Sequence, residues 1–500
     1  MTRVFNTRLV FRTMGALLLI ESICMGLATA ISWWYHEADF GPFLVSTVLT
    51  CIAGGIGLAI GHSATKRVGE REGYVIVASV WLIFSLFGML PYYLSGAIPT
   101  ITDAWFETMS GFTTTGATIL TDVEVQTHGV LFWRALTQWL GGMGIIVLSI
   151  AILPMFGLGG MQLYAAEMNG LSYEKISPRI ADTAKHLWIT YIILTVSAAA
   201  LLYVEGMPIF DSVCHSFSTI ATGGFSTKNM SIAYYDNRWI EYTISVFMIL
   251  SGVNFAMLIF LFRGKGRRLL QDEETKWYLT AVGICALILS AGLFIHYGLI
   301  QHNGSFDSWQ QGLLSLERAI RKGLFMAASA MTSTGYAASD YMTWPNLLWV
   351  IVFFMMFTGA SSGSTSGGIK WVRIMVFLKS GVTEFKRRIH PNAIVPVKIN
   401  GRPVSQQTTN NVMAFMVFYL LMIVATVITF CACGVSFEEA IGTAVSSIGN
   451  IGISIGQYGP SGSYAHFPTI GKWVMTVVML IGRLEIFTIL LLFTRVLWRK

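Results

Sequence analysis

The chain has 500 residues, of which 54% are hydrophobic and only 12% charged, and its mean hydropathy is +0.62. Soluble domains carry about a quarter charged residues, so this balance excludes a soluble fold and points to the membrane. The net charge of +7 does not indicate nucleic acid, because Lys and Arg sit in short clusters between apolar runs and never form one basic face.

Arg3, Arg8 and Arg12 precede a first apolar run over about residues 14–34. Ala28-Thr29-Ala30 resembles a signal-peptidase site, so cleavage is the alternative to a retained helix. The length of the run and the interfacial pair Trp33-Trp34 favour retention. A second span, about 43–62, ends at the basic turn Lys66-Arg67. Together they form an N-terminal two-helix hairpin, residues 1–72.

Beyond it the chain repeats itself. Gly116, Gly223, Gly335 and Gly449 stand in the stretches FETMSGFTTTGAT, VCHSFSTIATGGF, FMAASAMTSTGYA and EAIGTAVSSIGNI, 107, 112 and 114 residues apart. A period this long is a whole supersecondary unit. Each stretch starts as two or three turns of helix, too short to span, and breaks at Thr-Gly, or at Ile448-Gly449 in the fourth. Each lies between two apolar segments, expected at 74–94 and 130–153, 187–204 and 239–262, 277–295 and a run from 347, and 412–433 and 473–498. A polar segment, about 157–186, joins the first unit to the second. Four helix–pore-loop–helix modules follow, over residues 73–186, 187–276, 277–410 and 411–500. The expected fold is all-α integral membrane, with ten spanning helices and four re-entrant loops around one pore.

In this layout most of the 33 Lys and Arg fall on the side of the termini and most of the 26 Asp and Glu opposite. Both termini are therefore expected in the cytoplasm, with an acidic outer vestibule that gathers cations. The six cysteines lie in apolar runs or, for Cys214, in the second short helix, and no CxxC or His/Cys ligand spacing occurs. Neither a disulfide framework nor a zinc site is supported.

A cation entering a membrane must exchange its hydration shell for equally good oxygens. Rings of backbone carbonyls from four converging loops supply them, as in filters built on TVGYG. Glycine permits backbone conformations that a Cβ forbids. The expected filter takes Gly116, Gly223, Gly335 and Gly449 as its common ring, Thr115, Thr222, Thr334 and Ile448 next to it, and Thr114 and Asn450 beside them. A single Thr-Gly reads equally well as a turn or a helix C-cap, but four in register, each between two spans, favour the pore.

The run over 347–378 would be roughly 48 Å long as helix, against a hydrocarbon core of about 30 Å. Its middle, GASSGSTSGG (359–368), contains Gly359, Ser361, Gly363, Ser364, Gly367 and Gly368. Small residues serve close helix packing in membranes, yet this density disfavours helix and suggests an unwound segment under the loops. Arg483 falls within the last apolar run, where it needs either a partner helix or a watery interior. Glu485 lies about 200° around the helix and cannot share its face. Salt bridge and pore-facing charge both stand as readings.

The motifs TTTGAT, ATGGFS, STGYA and SIGNIG, with QWLGGMG after the first loop and GSTSGGIK in the third module, resemble the Trk/Ktr/HKT superfamily of potassium uptake proteins. The two additional N-terminal spans resemble its bacterial TrkH/TrkG branch, and the resemblance covers nearly the whole chain. It implies a K+ pore, passing Rb+ as well, with K+ held at the filter carbonyls and no cofactor. It also implies a homodimer in the lipid of the bacterial inner membrane, seated on a cytosolic TrkA-type ring of nucleotide-binding regulatory subunits. Segment 359–368 would then act as an intramembrane gate and Arg483 would guard the cavity. Glycine at Gly116, where Na+-admitting relatives tend to have serine, favours K+. Ile453-Ser454 departs from the family, which often has Pro after GNIG. Two other classes compete. A Na+- or H+-coupled transporter needs an embedded carboxylate relay, for which only Glu21 and Glu485 are candidates. A membrane enzyme finds no support, because Gly157-Leu158-Gly159-Gly160 lacks the P-loop pattern and no nucleophile–base pair occurs.

Overall fold

Small residues set the first contact of the chain. Helices α1 (Thr7–Trp34) and α2 (Phe40–Ile60) pack as a hairpin. A Cβ on Gly15 would strike backbone at Gly54, Gly57 and Leu58, so the helices meet backbone to backbone, as membrane helices do without a hydrophobic drive between them. The computed structural model describes residues 5–63, 70–144, 180–296, 309–390 and 395–498. Lys66-Arg67, the end of the 130–153 span and most of the polar segment 157–186 lie outside the described residues.

The repeated pattern is then visible four times. First come α3 (Glu70–Gly88) with α4 (Leu90–Leu94), the short α5 (Ile101–Phe112), an extended stretch and α6 (His128–Gly142). Next are α7 (Ile180–Val204), the short α8 (Ile209–Ile220), and α9 (Arg238–Ser251) with α10 (Phe255–Phe262). A connector, α11 (Gly266–Gln271), leads to α12 (Glu273–Phe294), α13 (Trp309–Met331), α14 (Asn346–Met355) and α15 (Trp371–Ile389). A two-residue antiparallel ladder, β1 (Lys398–Ile399) and β2 (Arg402–Pro403), precedes the last set. That set is α16 (Gln406–Ala432), α17 (Phe437–Gly449), α18 (Thr469–Arg483), α19 (Ile486–Leu492) and α20 (Arg495–Trp498). Among the described residues six helical segments are long and apolar enough to cross a membrane, or up to eight if each bent pair counts as one.

The bends correct two expected spans. Segments 239–262 and 473–498 are not continuous: α9 meets α10 at 108° and α18 meets α19 at 113°. At the first break the freed carbonyl of Gly252 accepts from Ser361 N–H at 3.0 Å, and Asn254 caps α10 by accepting from Ala256 N–H. At the second, Glu485 takes φ +60. The other second helices stop too, α6 at Gly142, with Gly144 at φ +68, and α14 at Met355. Hydropathy is averaged over a window and passes over a break of two or three residues. The third short helix also exceeds its expected two or three turns, since α13 has 23 residues against 12, 12 and 13 for α5, α8 and α17.

Candidate functional site: four loops closed on one another

Each short helix ends in the same way. Thr114, Thr222, Ser333 and Asn450 have φ of +54, +53, +53 and +53, and two residues later Gly116, Gly224, Gly335 and Gly452 have +78, +78, +78 and +90. The residue between them donates its N–H to a serine carbonyl five positions back: Thr115 to Ser110 at 2.9 Å, Gly223 to Ser218 at 2.8 Å, Thr334 to Ser329 at 2.9 Å and Ile451 to Ser446 at 3.0 Å. This is a six-to-one helix stop with a left-handed residue inside it. Left-handed backbone at a non-glycine costs about 1–3 kcal/mol, and such strain is held by its surroundings.

The register differs from the one expected from Thr-Gly. Gly224 and Gly452, not Gly223 and Gly449, stand with Gly116 and Gly335. Gly223 shares a row with Thr115, Thr334 and Ile451, while Thr222 and Asn450 share one with Thr114. Ile448 and Gly449 lie inside α17. The physical cause is that the helix runs on to Gly449 and Asn450 takes the left-handed stop. Thr-Gly identity aligned the wrong glycines.

The four glycines close a cycle. A Cβ built on Gly116 would fall well inside 3 Å of Gly223 O, one on Gly224 of Thr334 O, one on Gly335 of Ile451 O, and one on Gly452 of Thr115 O. Each loop thus lays a carbonyl against the preceding loop's glycine, and the fourth returns to the first. Thr113, Thr114, Thr115, Thr222, Thr332, Ser333, Thr334 and Asn450 are at most 1% exposed. Hydroxyl pairs tighten loops one and three, Thr113–Thr115 at 2.8 Å and Thr332–Thr334 at 2.7 Å. Asn450 Nδ2 ties loop four to Thr115 Oγ1 and Met479 O, both at 2.9 Å. The helix C-termini bring negative dipole ends to the same place. Neutral oxygens in this arrangement suit a monovalent cation, whereas divalent ions take carboxylates.

Buried charge braces the loops from outside. Arg134, 2% exposed, donates Nε to Glu107 at 2.8 Å, Nη1 to Ser226 O at 3.2 Å and Nη2 to Thr118 Oγ1 at 3.2 Å, so α6 holds the strands leaving loops one and two. Lys322 Nζ donates to Glu241 at 2.8 Å and Ala338 O at 2.7 Å. Tyr336 OH donates to Phe225 O at 3.1 Å and Tyr341 OH to Ser454 O. None of these was singled out in the sequence. The available signal was a charge set deep in an apolar stretch, as Glu107 is in α5 and Arg134 in α6.

Segment 359–368 is unwound and lies against loops two, three and four. Thr365 Oγ1 donates to Ile220 O at 3.0 Å, Gly367 N–H donates to Ser333 Oγ at 2.6 Å, and a Cβ on Gly367 would strike Gly449 O. Gly363 and Gly368 take φ +73 and +66, and Gly359 N–H donates to Ile369 O at 2.8 Å. Ser361 is fully buried and its carbonyl accepts from Ser364 Oγ at 2.6 Å. Although rich in small residues, the run is held closely by its neighbours. Glu274 of α12 accepts from Ser362 N–H at 2.6 Å, Ser362 Oγ at 2.8 Å and Val372 N–H at 3.2 Å. The backbone, freed from helical bonding, has found partners in its neighbours.

Arg483 ends α18 beside this segment. Nη1 donates to Thr114 Oγ1 at 3.0 Å and Thr365 O at 2.7 Å, and Nη2 to Gly141 O at 2.5 Å and Gly142 O at 2.9 Å. The guanidinium links loop one, the 359–368 segment and the end of α6 through neutral acceptors. Glu485 turns away and pairs with Arg373 at 2.5 Å.

The chain matches the TrkH family, described as a cation transport protein, over residues 42–499. It belongs to that family. This TrkH-family chain is 37% identical over 500 residues to the Trk system potassium uptake protein TrkH of Halomonas elongata, covering 99% of this chain and 100% of that one. It is 36% identical to the Trk system potassium uptake protein TrkH of Escherichia coli K12, covering 99% of each. The crystal structure of the potassium transporter TrkH from Vibrio parahaemolyticus is similar at a TM-score of 0.86 and 32% identity, over 99% of this chain and 100% of that one. The chain is accordingly a membrane cation transport protein and not an enzyme.

Proposed function

We propose that the protein takes up potassium across the bacterial cytoplasmic membrane through a gated, K+-selective pore formed by its four loops. The cyclic packing of Gly116, Gly224, Gly335 and Gly452 on the next loop's carbonyl carries this reading, because it gathers four backbone oxygens where a K+ ion can shed water. The filter takes Thr114–Gly116, Thr222–Gly224, Ser333–Gly335 and Asn450–Gly452. The names of the relatives, which are potassium uptake proteins, agree with it. Segment 359–368 and Arg483 act as the gate, the four modules divide at residues 73, 187, 277 and 411, and a homodimer sits on a cytosolic TrkA-type subunit. Purified protein in liposomes tests the reading: Rb+ uptake should exceed Na+ uptake and persist without a pH gradient. Uptake that needs the gradient would favour the coupled transporter.

Arg483→Ala should raise Rb+ flux. A fixed positive charge in a partly hydrated cavity raises the barrier for K+ by on the order of 1–4 kcal/mol, and its loss also frees Thr365 O. Flux per folded molecule, with yield read by size-exclusion chromatography, is the measurement. A stable variant with unchanged flux removes Arg483 from the ion path.

Orientation is tested by exposed positions on opposite ends. Val125 is 72% and Leu270 69% exposed. Val125→Cys should react with an impermeant thiol reagent from outside intact cells and Leu270→Cys only after lysis, as the positive-inside rule requires. The reverse pattern would put the termini outside.

A further inference from the structure

Loop two lacks a side chain that the other three loops have. In the row before the left-handed glycine stand Thr115, Thr334 and Ile451, but Gly223 in the second loop. Gly223 is not among the residues with positive φ, so backbone freedom does not explain it. Its space is taken instead. A Cβ there would lie 2.6 Å from Gln138 Oε1 and 2.8 Å from Nε2. Gln138, fully buried on α6, donates Nε2 to Gly223 O at 2.6 Å and accepts Phe225 N–H on Oε1 at 3.0 Å. The two bonds fix the amide's orientation, since a flip would set oxygen on oxygen and donor on donor. They also bracket Gly224, whose missing Cβ admits Thr334 O. Among the described residues no protein donor reaches the carbonyls of Thr115, Thr334 or Ile451.

We infer that Gln138 is a positioning residue for selectivity: it fills from α6 the side-chain slot that Gly223 leaves empty and aims the second loop's ring carbonyl. The double glycine Gly223-Gly224 follows, the first making room for Gln138 and the second for the next loop. One of the four ring oxygens therefore shares its lone pairs with an amide, and the ring is electronically uneven. A K+ ion meets three unshared carbonyls and one partly engaged one. This rests on the filter reading above.

The experiment compares Na+ with Rb+ uptake in proteoliposomes at equal folded protein. Gln138→Met keeps the volume without the bonds, and Gln138→Glu keeps the acceptor but loses the donor. Both should raise the Na+ to Rb+ ratio several-fold, the glutamate variant more, because it sets a carboxylate against Gly223 O. Gly223→Ala should lose most uptake, and adding Gln138→Ala should recover part of it by emptying the slot. Wild-type ratios in both Gln138 variants, or no recovery in the double variant, overturn the inference. Gly335→Ala separates the two levels. If it changes the ratio and the Gln138 variants do not, only this inference falls. If it too leaves the ratio unchanged, the filter reading falls.

Discussion

Gly335→Ala should abolish selective uptake. The position has φ +78 and its Cβ would collide with Ile451 O. Left-handed strain of about 1–3 kcal/mol is the smaller part. The larger part is that Ile451 O must leave its place, and a carbonyl cannot yield as a flexible side-chain tip can. Rb+ uptake is expected to fall about 100-fold, equivalent to roughly 2.7 kcal/mol in the barrier. Gly116→Ala should behave alike, since it meets Gly223 O. Gly283→Ala on α12, with nothing within 4 Å of the new Cβ, should leave flux unchanged and serves as the control. Normal flux and selectivity in Gly335→Ala would mean that the loops are not the ion path.

Removing Arg134 should cost the protein several kcal/mol of stability. Glu107 is fully buried and Arg134 2% exposed. Arg134→Met leaves a carboxylate buried with, among the described residues, Thr118 Oγ1 and Ile119 N–H to bond it. Breaking one side of such a pair costs about 3–5 kcal/mol. The outcome is a large fall in thermal stability and folded yield in detergent. Combining it with Glu107→Gln removes the orphaned charge, and most of the loss should return. A double variant as unstable as the single would show that the guanidinium matters for its bonds to Ser226 O and its packing over Phe225, not for its charge.

Hydropathy made most spans legible, because twenty apolar residues in a row have few other uses. The recurrence at about 110 residues made four loops legible as a set. What stayed hidden was local. The bends at 252–254 and 484–485 arise from tertiary partners, Ser361 N–H for Gly252 O and Arg373 for Glu485, and neither partner is near in sequence. In loops two and four the aligned glycines were off by one and three. Backbone geometry, not residue identity, defines the repeat, and Thr, Ser and Asn all fill the left-handed position. Asn450 was the readable clue, since Asn adopts that conformation more readily than Ile or Thr. Gln138 was in plain view within QWLGGMG, but nothing along the chain links it to a loop 85 residues away.

The cycle of glycines also bears on how the protein can be made. Loop four meets loop one through Gly452 on Thr115 O and Asn450 on Thr115 Oγ1, across 335 residues. Synthesis runs from the N-terminus at roughly 5–20 residues per second. At that pace loop one waits about 17–70 s, inserted but without its last neighbour. During that interval Thr115 O and the strained Thr114 have only part of their final surroundings. The ring therefore closes only when the last module is in place, and three-quarters of the protein holds an open arc and not a smaller ring.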